Sequence, residues 1–165
     1  LAADGALEVR TDRLALACWQ ADQPERWESL RDGDGWWCSG DRAALTPGLQ
    51  IAGRIDGAIH SGGETVFPEQ LEARLRQKLV TNNLPSIPVL MLAEPDPEWG
   101  ERLVALVGSA DPALIVSLQQ LTTSWLSAER PKRWLRCPEL SPNAIGKWER
   151  KIWQQWLVRE SHCHD

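Results

Sequence analysis

The sequence predicts an α+β fold: a small domain with a central β-sheet and about three helices, preceded by a strand-rich segment that cannot close a core alone. Three observations carry this expectation. Leu71, Leu75 and Leu79 repeat at i, i+4 and i+8 behind Pro68, which is the period of one buried helix face. Two short apolar runs, 88–93 and 103–107, flank the polar stretch 94–101 and read as strands on either side of a loop. A second helical stripe opens at Asp111-Pro112 and continues through Leu114, Ile115, Leu118, Leu121, Trp125 and Leu126.

Taken in order, residues 1–52 read as β structure. Leu7-Glu8-Val9 and Leu14-Ala15-Leu16-Ala17 have the short alternating or apolar pattern of strands. Residues 24–35 are polar and turn-rich. Residues 42–45 and 49–52 form a hairpin around Thr46-Pro47-Gly48. From Arg54 onward the pattern changes. Pro68-Glu69-Gln70 suits a first helical turn, because proline lacks the N–H which that turn leaves free. Pro131 ends the second helix, Trp134-Leu135 lies in a short strand, and 141–146 is a loop. The segment 148–159 is a last helix with Ile152, Trp153, Trp156 and Leu157 facing in. The expected division is 1–53, a hinge at 54–57, and a small domain at 58–165.

The chain has 165 residues, enough for one domain or one domain plus a piece of another. It begins at Leu1, which fits a fragment or a processed product. No apolar run reaches membrane-spanning length, so no membrane partner is expected. A net charge of −5 argues against whole-protein attraction to nucleic acid. Cys18, Cys38, Cys137 and Cys163 form no CxxC pair, which suits a reduced, cytoplasmic setting. Ten tryptophans stand against one phenylalanine and no tyrosine. The tail His162-Cys163-His164-Asp165 has metal-ligand residue types but no second ligand cluster, so it is read as a loose end and no metal is expected.

Gly62-Gly63 lies between a short apolar run and the helix at Pro68. Neither G-x-x-x-x-G-K-[ST] nor G-x-G-x-x-G is present, so this is not a phosphate cradle. From the residues alone two readings stand: a turn that needs positive φ, or close backbone approach to a ligand.

Several motifs come in order around it: Gly35-Trp36-Trp37-Cys38-Ser39-Gly40-Asp41, Gly53-Arg54-Ile55-Asp56, Ile59-His60-Ser61-Gly62-Gly63-Glu64, and Pro68-x-x-Leu71-Glu72. Pro97-Glu98-Trp99-Gly100-Glu101, Arg130-Pro131-Lys132 and Asn143-Ala144-Ile145-Gly146-Lys147 follow. In this order, residues 33–155 resemble the C-terminal portion of the adenylate-forming enzymes: acyl-CoA synthetases, peptide-synthetase adenylation domains and luciferases. That resemblance implies a small lid domain preceded by the β-rich end of a large N-terminal domain. The lid would close in two orientations, one for adenylation of a carboxylic acid and one for transfer to a thiol. It implies ATP, Mg2+ and CoA for the whole enzyme and the large N-terminal domain as partner. It also implies that this stretch alone, without the phosphate loop, is inactive.

Carried over residue by residue, the resemblance assigns Asp41 to the ribose hydroxyls of ATP, which a carboxylate accepts well; an Asx-turn is the ordinary alternative. Ser39 stands where threonine is commoner. Arg54 would also reach the ribose, against a surface ion pair. Asp56 would be the hinge residue, against a plain turn. Gly62 and Gly63 would sit where the pantetheine arm of CoA passes. Trp99 and the basic group Arg130, Lys132 and Arg133 would meet the adenine and phosphates of CoA, against a core tryptophan and a solvated patch. Lys147 would be the catalytic lysine of adenylation, with Ile145 in place of the family's usual threonine. Lys132-Arg133-Trp134-Leu135 and Pro138-Glu139-Leu140 resemble the o-succinylbenzoate–CoA ligase branch of menaquinone and phylloquinone synthesis. Medium-chain and aryl acyl ligases stay open. The competing class is a stand-alone nucleotide- or nucleic-acid-binding module, which has no need of a lysine in a Gly-Lys loop.

Overall fold

The computed structural model describes residues 1–20 and 22–162. The chain divides into two compact units, 1–57 and 58–165.

The first unit is all strand and turn. A three-stranded antiparallel sheet has the order β1 (Ala6–Val9), β4 (Trp37–Ala44), β5 (Gln50–Arg54). A separate two-stranded ribbon pairs β2 (Ala17–Gln20) with β3 (Gln23–Ser29). A short 3-10 turn, Ile55–Gly57, follows β5. The hairpin around Pro47 is present, with β4 starting earlier than its apolar pattern suggests. Two expectations need correction. The second strand is at 17–20, not 14–17, and the polar stretch 24–35 begins inside a seven-residue strand, Gln23–Ser29. Pairing explains both: Trp19 stands opposite Trp27, a cross-strand aromatic pair that polarity of the flanking residues conceals.

The second unit is three layers. Strands β6 (Ile59–Ser61) and β7 (Glu64–Val66) form a tight hairpin, and helix α1 (Pro68–Thr81) follows. Strands β8 (Val89–Asp96) and β9 (Gly100–Val107) form a long antiparallel hairpin. Helix α2 (Pro112–Thr122) leads through a short 3-10 turn to β10 (Arg133–Arg136), and helix α3 (Arg150–His162) ends the described chain. Strand β9 is central. It pairs antiparallel with β8, parallel with β10 and, at Gly100, antiparallel with β6.

The apolar strands are buried on both faces, so alternate residues serve different layers. Val89, Met91, Leu103, Ala105 and Val107 join Leu71, Leu75 and Leu79 of α1 and Leu118 of α2 in one core. Leu90, Leu92, Val104 and Leu106 face the other way and pack with Cys137, Leu140 and Leu157 of α3. Each of these fully buried leucines is worth about 1.5–3 kcal/mol of apolar burial. The expected α+β architecture with a central sheet and three helices is what forms.

Four details differ from expectation. The stretch 94–101 is mostly strand, with only 97–99 left as a turn, because the side chains of Glu94 and Arg102 pair across it. Helix α2 stops at Thr122, well before Pro131; Trp125 is buried from the turn beyond it and Leu126 is exposed. Helix α3 begins at Arg150, and Ile152 is half exposed rather than inward. Strand β7 was not expected, since Glu64-Thr65-Val66 is too short and polar to show a period. Of the tail 162–165, Cys163, His164 and Asp165 lie outside the described residues.

Candidate functional site

In the first unit, β4 and β5 bring two candidates together. Asp41 is the register partner of Arg54 across the antiparallel pair. The Asp41 backbone N–H donates to Ser39 Oγ at 3.1 Å within β4. Gly40 has φ +75 and leaves room for the Arg54 guanidinium, whose Nη2 would lie 3.3 Å from a Cβ there. Arg54 grips Asp56 with two hydrogen bonds of 2.9 Å, Nε to Oδ1 and Nη2 to Oδ2, and Nη1 donates to the Ser39 carbonyl at 3.4 Å. Asp41 and Arg54 thus face each other across β4 and β5, and Arg54 holds Asp56 in the turn that follows. The Arg54–Asp56 pair is solvent-exposed on both sides, so it orients the arginine more than it stabilises the fold.

In the second unit, Gly62 and Gly63 are the two turn residues of the β6–β7 hairpin, with φ +58 and +85. Two consecutive positive φ values match the right-handed twist of a hairpin and select glycine. The two differ in surroundings. A Cβ on Gly62 would lie 2.6 Å from Cζ3 of Trp99, while one on Gly63 would meet nothing within 4 Å. The Gly62 N–H also donates to the Trp99 carbonyl at 3.1 Å.

Trp99 is 46% exposed and is not a core tryptophan. Asp96 fixes its backbone: Oδ1 accepts from Glu98 N–H at 2.9 Å and from Trp99 N–H at 3.0 Å. Those donors, Trp99 first, hold the Asp96 carboxyl below its ordinary value. The turn 97–99 lies in the stretch read as a loop, but Asp96 was given no role there, although Asp-Pro-x-Trp carries an Asx-turn signal.

The basic group splits. Arg130 and Lys132 are exposed, and they precede β10, so they lie toward the β9 end that Trp99 and Gly100 begin. Lys132 Nζ donates to Ser127 Oγ at 3.2 Å. Arg133 is otherwise engaged: it pairs with the buried Glu94, which also accepts from Arg102 Nε at 2.8 Å and Ser161 Oγ at 2.9 Å. Arg133 is a structural cation joining β10, β8 and α3, and it does not belong with the exposed pair.

Lys147 is exposed at the end of a closed loop. Asn143 Oδ1 accepts from Lys147 N–H at 2.8 Å and from Ile145 N–H at 3.2 Å. The Asn143 N–H donates to the Lys147 carbonyl at 2.9 Å, and Gly146, with φ +78, donates to the Asn143 carbonyl at 2.8 Å. Three residues on, Arg150 bolts the start of α3 to the opposite layer. It donates to the Met91 carbonyl at 2.9 Å and Glu72 Oε2 at 2.8 Å, and pairs with Glu69 at 3.2 Å. Burial raises the Glu72 carboxyl above its ordinary value, against the pull of Arg150. Asn143 and Glu72 stand in two of the sequence motifs but were given no role there, and Arg150 was not singled out. An asparagine four residues before a lysine, with glycine between, is a turn signal that points to the first; a buried pair between distant residues has no local signal.

Among the described residues, no group of three or more His, Cys, Asp or Glu is placed to hold a metal ion. Among the described residues, no helix is long and apolar enough to cross a membrane either.

No protein-family model matches the chain. It is 35% identical over 130 residues to 2-succinylbenzoate–CoA ligase of Salmonella typhimurium, covering 78% of this chain and 28% of that protein. It is 28% identical over 153 residues to 2-succinylbenzoate–CoA ligase of Escherichia coli, covering 92% and 32%. A solved structure of E. coli MenE with bound OSB-AMS superposes with a TM-score of 0.69 at 28% identity, covering 95% of this chain and 33% of that one. The chain belongs with the C-terminal portion of the AMP-forming acyl-CoA ligases.

The chain spans about a third or less of the curated ligases it matches. The amide bond synthetase McbA of Marinactinospora thermotolerans has the same fold, with a TM-score of 0.70 at 21% identity. The likeness to MenE covers 95% of this chain and so takes in the small α+β unit and strands before it.

Proposed function

We propose that this chain is the lid, with the adjoining end of the large domain, of an ATP-dependent ligase that joins o-succinylbenzoate to CoA in menaquinone or phylloquinone synthesis, in the cytoplasm. The observation that carries the reading is Lys147: an exposed ammonium on a loop closed by four hydrogen bonds, in a chain similar to CoA ligases.

The chemistry has two steps. A carboxylate oxygen of the acid attacks the α-phosphorus of ATP and pyrophosphate leaves. The CoA thiol then attacks the activated carbonyl and AMP leaves. In the first step two anions approach and charge builds on phosphoryl oxygens. The Lys147 ammonium bridges carboxylate and phosphate and lowers that barrier. Mg2+ would accompany the ATP phosphates, held from the large domain. Asp41 accepts hydrogen bonds from the ribose hydroxyls, with Arg54 beside it.

In the second step the pantetheine arm passes the hairpin at Gly63, where a Cβ position is open. Trp99 offers its exposed ring to the adenine, and Arg130 and Lys132 offer cations to the phosphates. Lys132 spends one of its three N–H groups on Ser127, which leaves two. We place the division at 1–53, 54–57 and 58–165, with Asp56 as hinge; the separation into units at Gly57 supports it. This stretch alone is expected to be inactive.

The test supplies the full-length protein with ATP, CoA and a panel of acids. The reading predicts AMP and o-succinylbenzoyl-CoA as products, with slower turnover of benzoate and medium-chain acids. Thioester formation from another acid in preference would overturn the substrate. No AMP with any acid would overturn the class.

A further inference from the structure

We propose that Asn143 is a positioning residue for Lys147. It holds the loop 143–147 in the one conformation that presents the ammonium to the reacting carboxylate and phosphate. The inference rests on the reading of Lys147 as the adenylation lysine and assigns how this chain delivers it.

The loop has little else to hold it. Ile145 is 84% exposed, Ala144, Gly146 and Lys147 are exposed, and a Cβ on Gly146 would meet nothing within 4 Å. No core packing fixes its tip. Its two ends are anchored: Leu140 is buried in the core against α3, and Arg150 is tied to Met91, Glu72 and Glu69. Between those anchors, one side-chain oxygen gathers the N–H groups of Ile145 and Lys147, and the Asn143 backbone closes the ring on the Lys147 carbonyl. The backbone of Lys147 is thus held at both its N–H and its carbonyl by a single residue.

The physical consequence concerns populations more than stability. The two N–H groups are exposed, so water replaces the lost acceptor when Asn143 is removed, and the fold survives. The loop then samples several conformations, and the rate falls by the fraction that presents the lysine correctly. A lysine carries four rotatable bonds beyond its Cα. Displacing that Cα by about 1 Å is enough to cost up to roughly a hundredfold.

The experiment uses the full-length protein with Asn143→Leu, Asn143→Asp, Lys147→Ala and the Asn143→Leu/Lys147→Ala double variant. Leucine keeps the size and removes the acceptor; aspartate keeps an oxygen in the same place. Three quantities are read: single-turnover adenylation, thioester formation from preformed acyl-adenylate, and amide hydrogen exchange at Ile145 and Lys147. Asn143→Leu is expected to slow adenylation by about tenfold or more, with little change in KM for ATP and none in thioester formation. Exchange at both amides should speed up in Asn143→Leu and stay slow in Asn143→Asp, which should also keep most of the adenylation rate. The double variant should be no slower than Lys147→Ala alone, because a positioning residue has nothing left to position. Normal adenylation in Asn143→Leu beside a slow Lys147→Ala would overturn this inference alone. A multiplicative loss in the double variant would also overturn it. Normal adenylation in Lys147→Ala would remove the reading beneath it, and this inference with it.

Discussion

The ring of Trp99 covers Gly62 and leaves Gly63 bare. A Cβ on Gly62 would stand 2.6 Å from Cζ3 of that ring, whereas the same atom on Gly63 would point into open space. Two adjacent glycines with similar backbone geometry thus serve different ends: one accepts a tryptophan, the other leaves a surface clear.

Substitution separates them. Both positions have positive φ, so alanine at either carries a backbone cost of about 1–2 kcal/mol. Gly62→Ala must also displace Trp99, and is expected to lower stability further than Gly63→Ala in urea denaturation. In the full-length enzyme, Gly63→Leu is expected to leave adenylate formation intact and slow thioester formation. Equal stability losses at the two positions would contradict the packing account. Equal losses in both half-reactions for Gly63→Leu would contradict the CoA path.

The helix at Pro68 was legible from the period of its apolar face, and the strand pair at β8 and β9 from continuous apolar runs that are buried on both faces. Strand β3 and strand β7 were not, because each carries a single large apolar residue, Trp27 and Val66, among polar ones, too few to show a period. The glycines, Trp99 and Lys147 were legible as motifs; the residues that fix their backbones had no visible role. Asp96 and Asn143 act through backbone N–H groups two to four residues away, a signal shared by every ordinary turn. Glu72 and Arg150 are 78 positions apart and meet only when α3 docks. Arg133 looked like part of a basic patch because its partner, Glu94, is 39 residues upstream on another strand.

Glu72 should leave a mark on the pH dependence of stability. Burial raises its folded-state pKa above the ordinary 4.5, with Arg150 opposing. The native state therefore holds the proton more tightly than the unfolded chain. This contribution is fully present below pH 4.5 and is lost as pH rises through the folded value. Thermal melts from pH 4.5 upward should show a falling component no steeper than about 1.4 kcal/mol per pH unit. Glu72→Gln should remove that component while lowering stability overall, because Arg150 loses a buried partner. An unchanged pH slope in Glu72→Gln would show that Glu72 is not its source.

Asp41 should govern nucleotide affinity. Its carboxylate is proposed to accept two ribose hydroxyls, and hydrogen bonds to a charged group are worth about 1.5–3 kcal/mol. Asp41→Ala in the full-length enzyme is expected to raise KM for ATP by roughly tenfold to a hundredfold. KM for CoA should stay near its starting value. A rise in KM for CoA with none for ATP would move Asp41 out of the nucleotide site.

The central claim is that Lys147 works in adenylation and not in thiol transfer. Single-turnover rates of the two half-reactions in full-length Lys147→Ala test it most directly. The expected result is a fall of about a hundredfold or more in acyl-adenylate formation, the size of effect produced by losing one transition-state electrostatic donor. Thioester formation from preformed acyl-adenylate and CoA should proceed at close to its normal rate. Near-normal adenylation, or equal loss in both steps, would contradict the account.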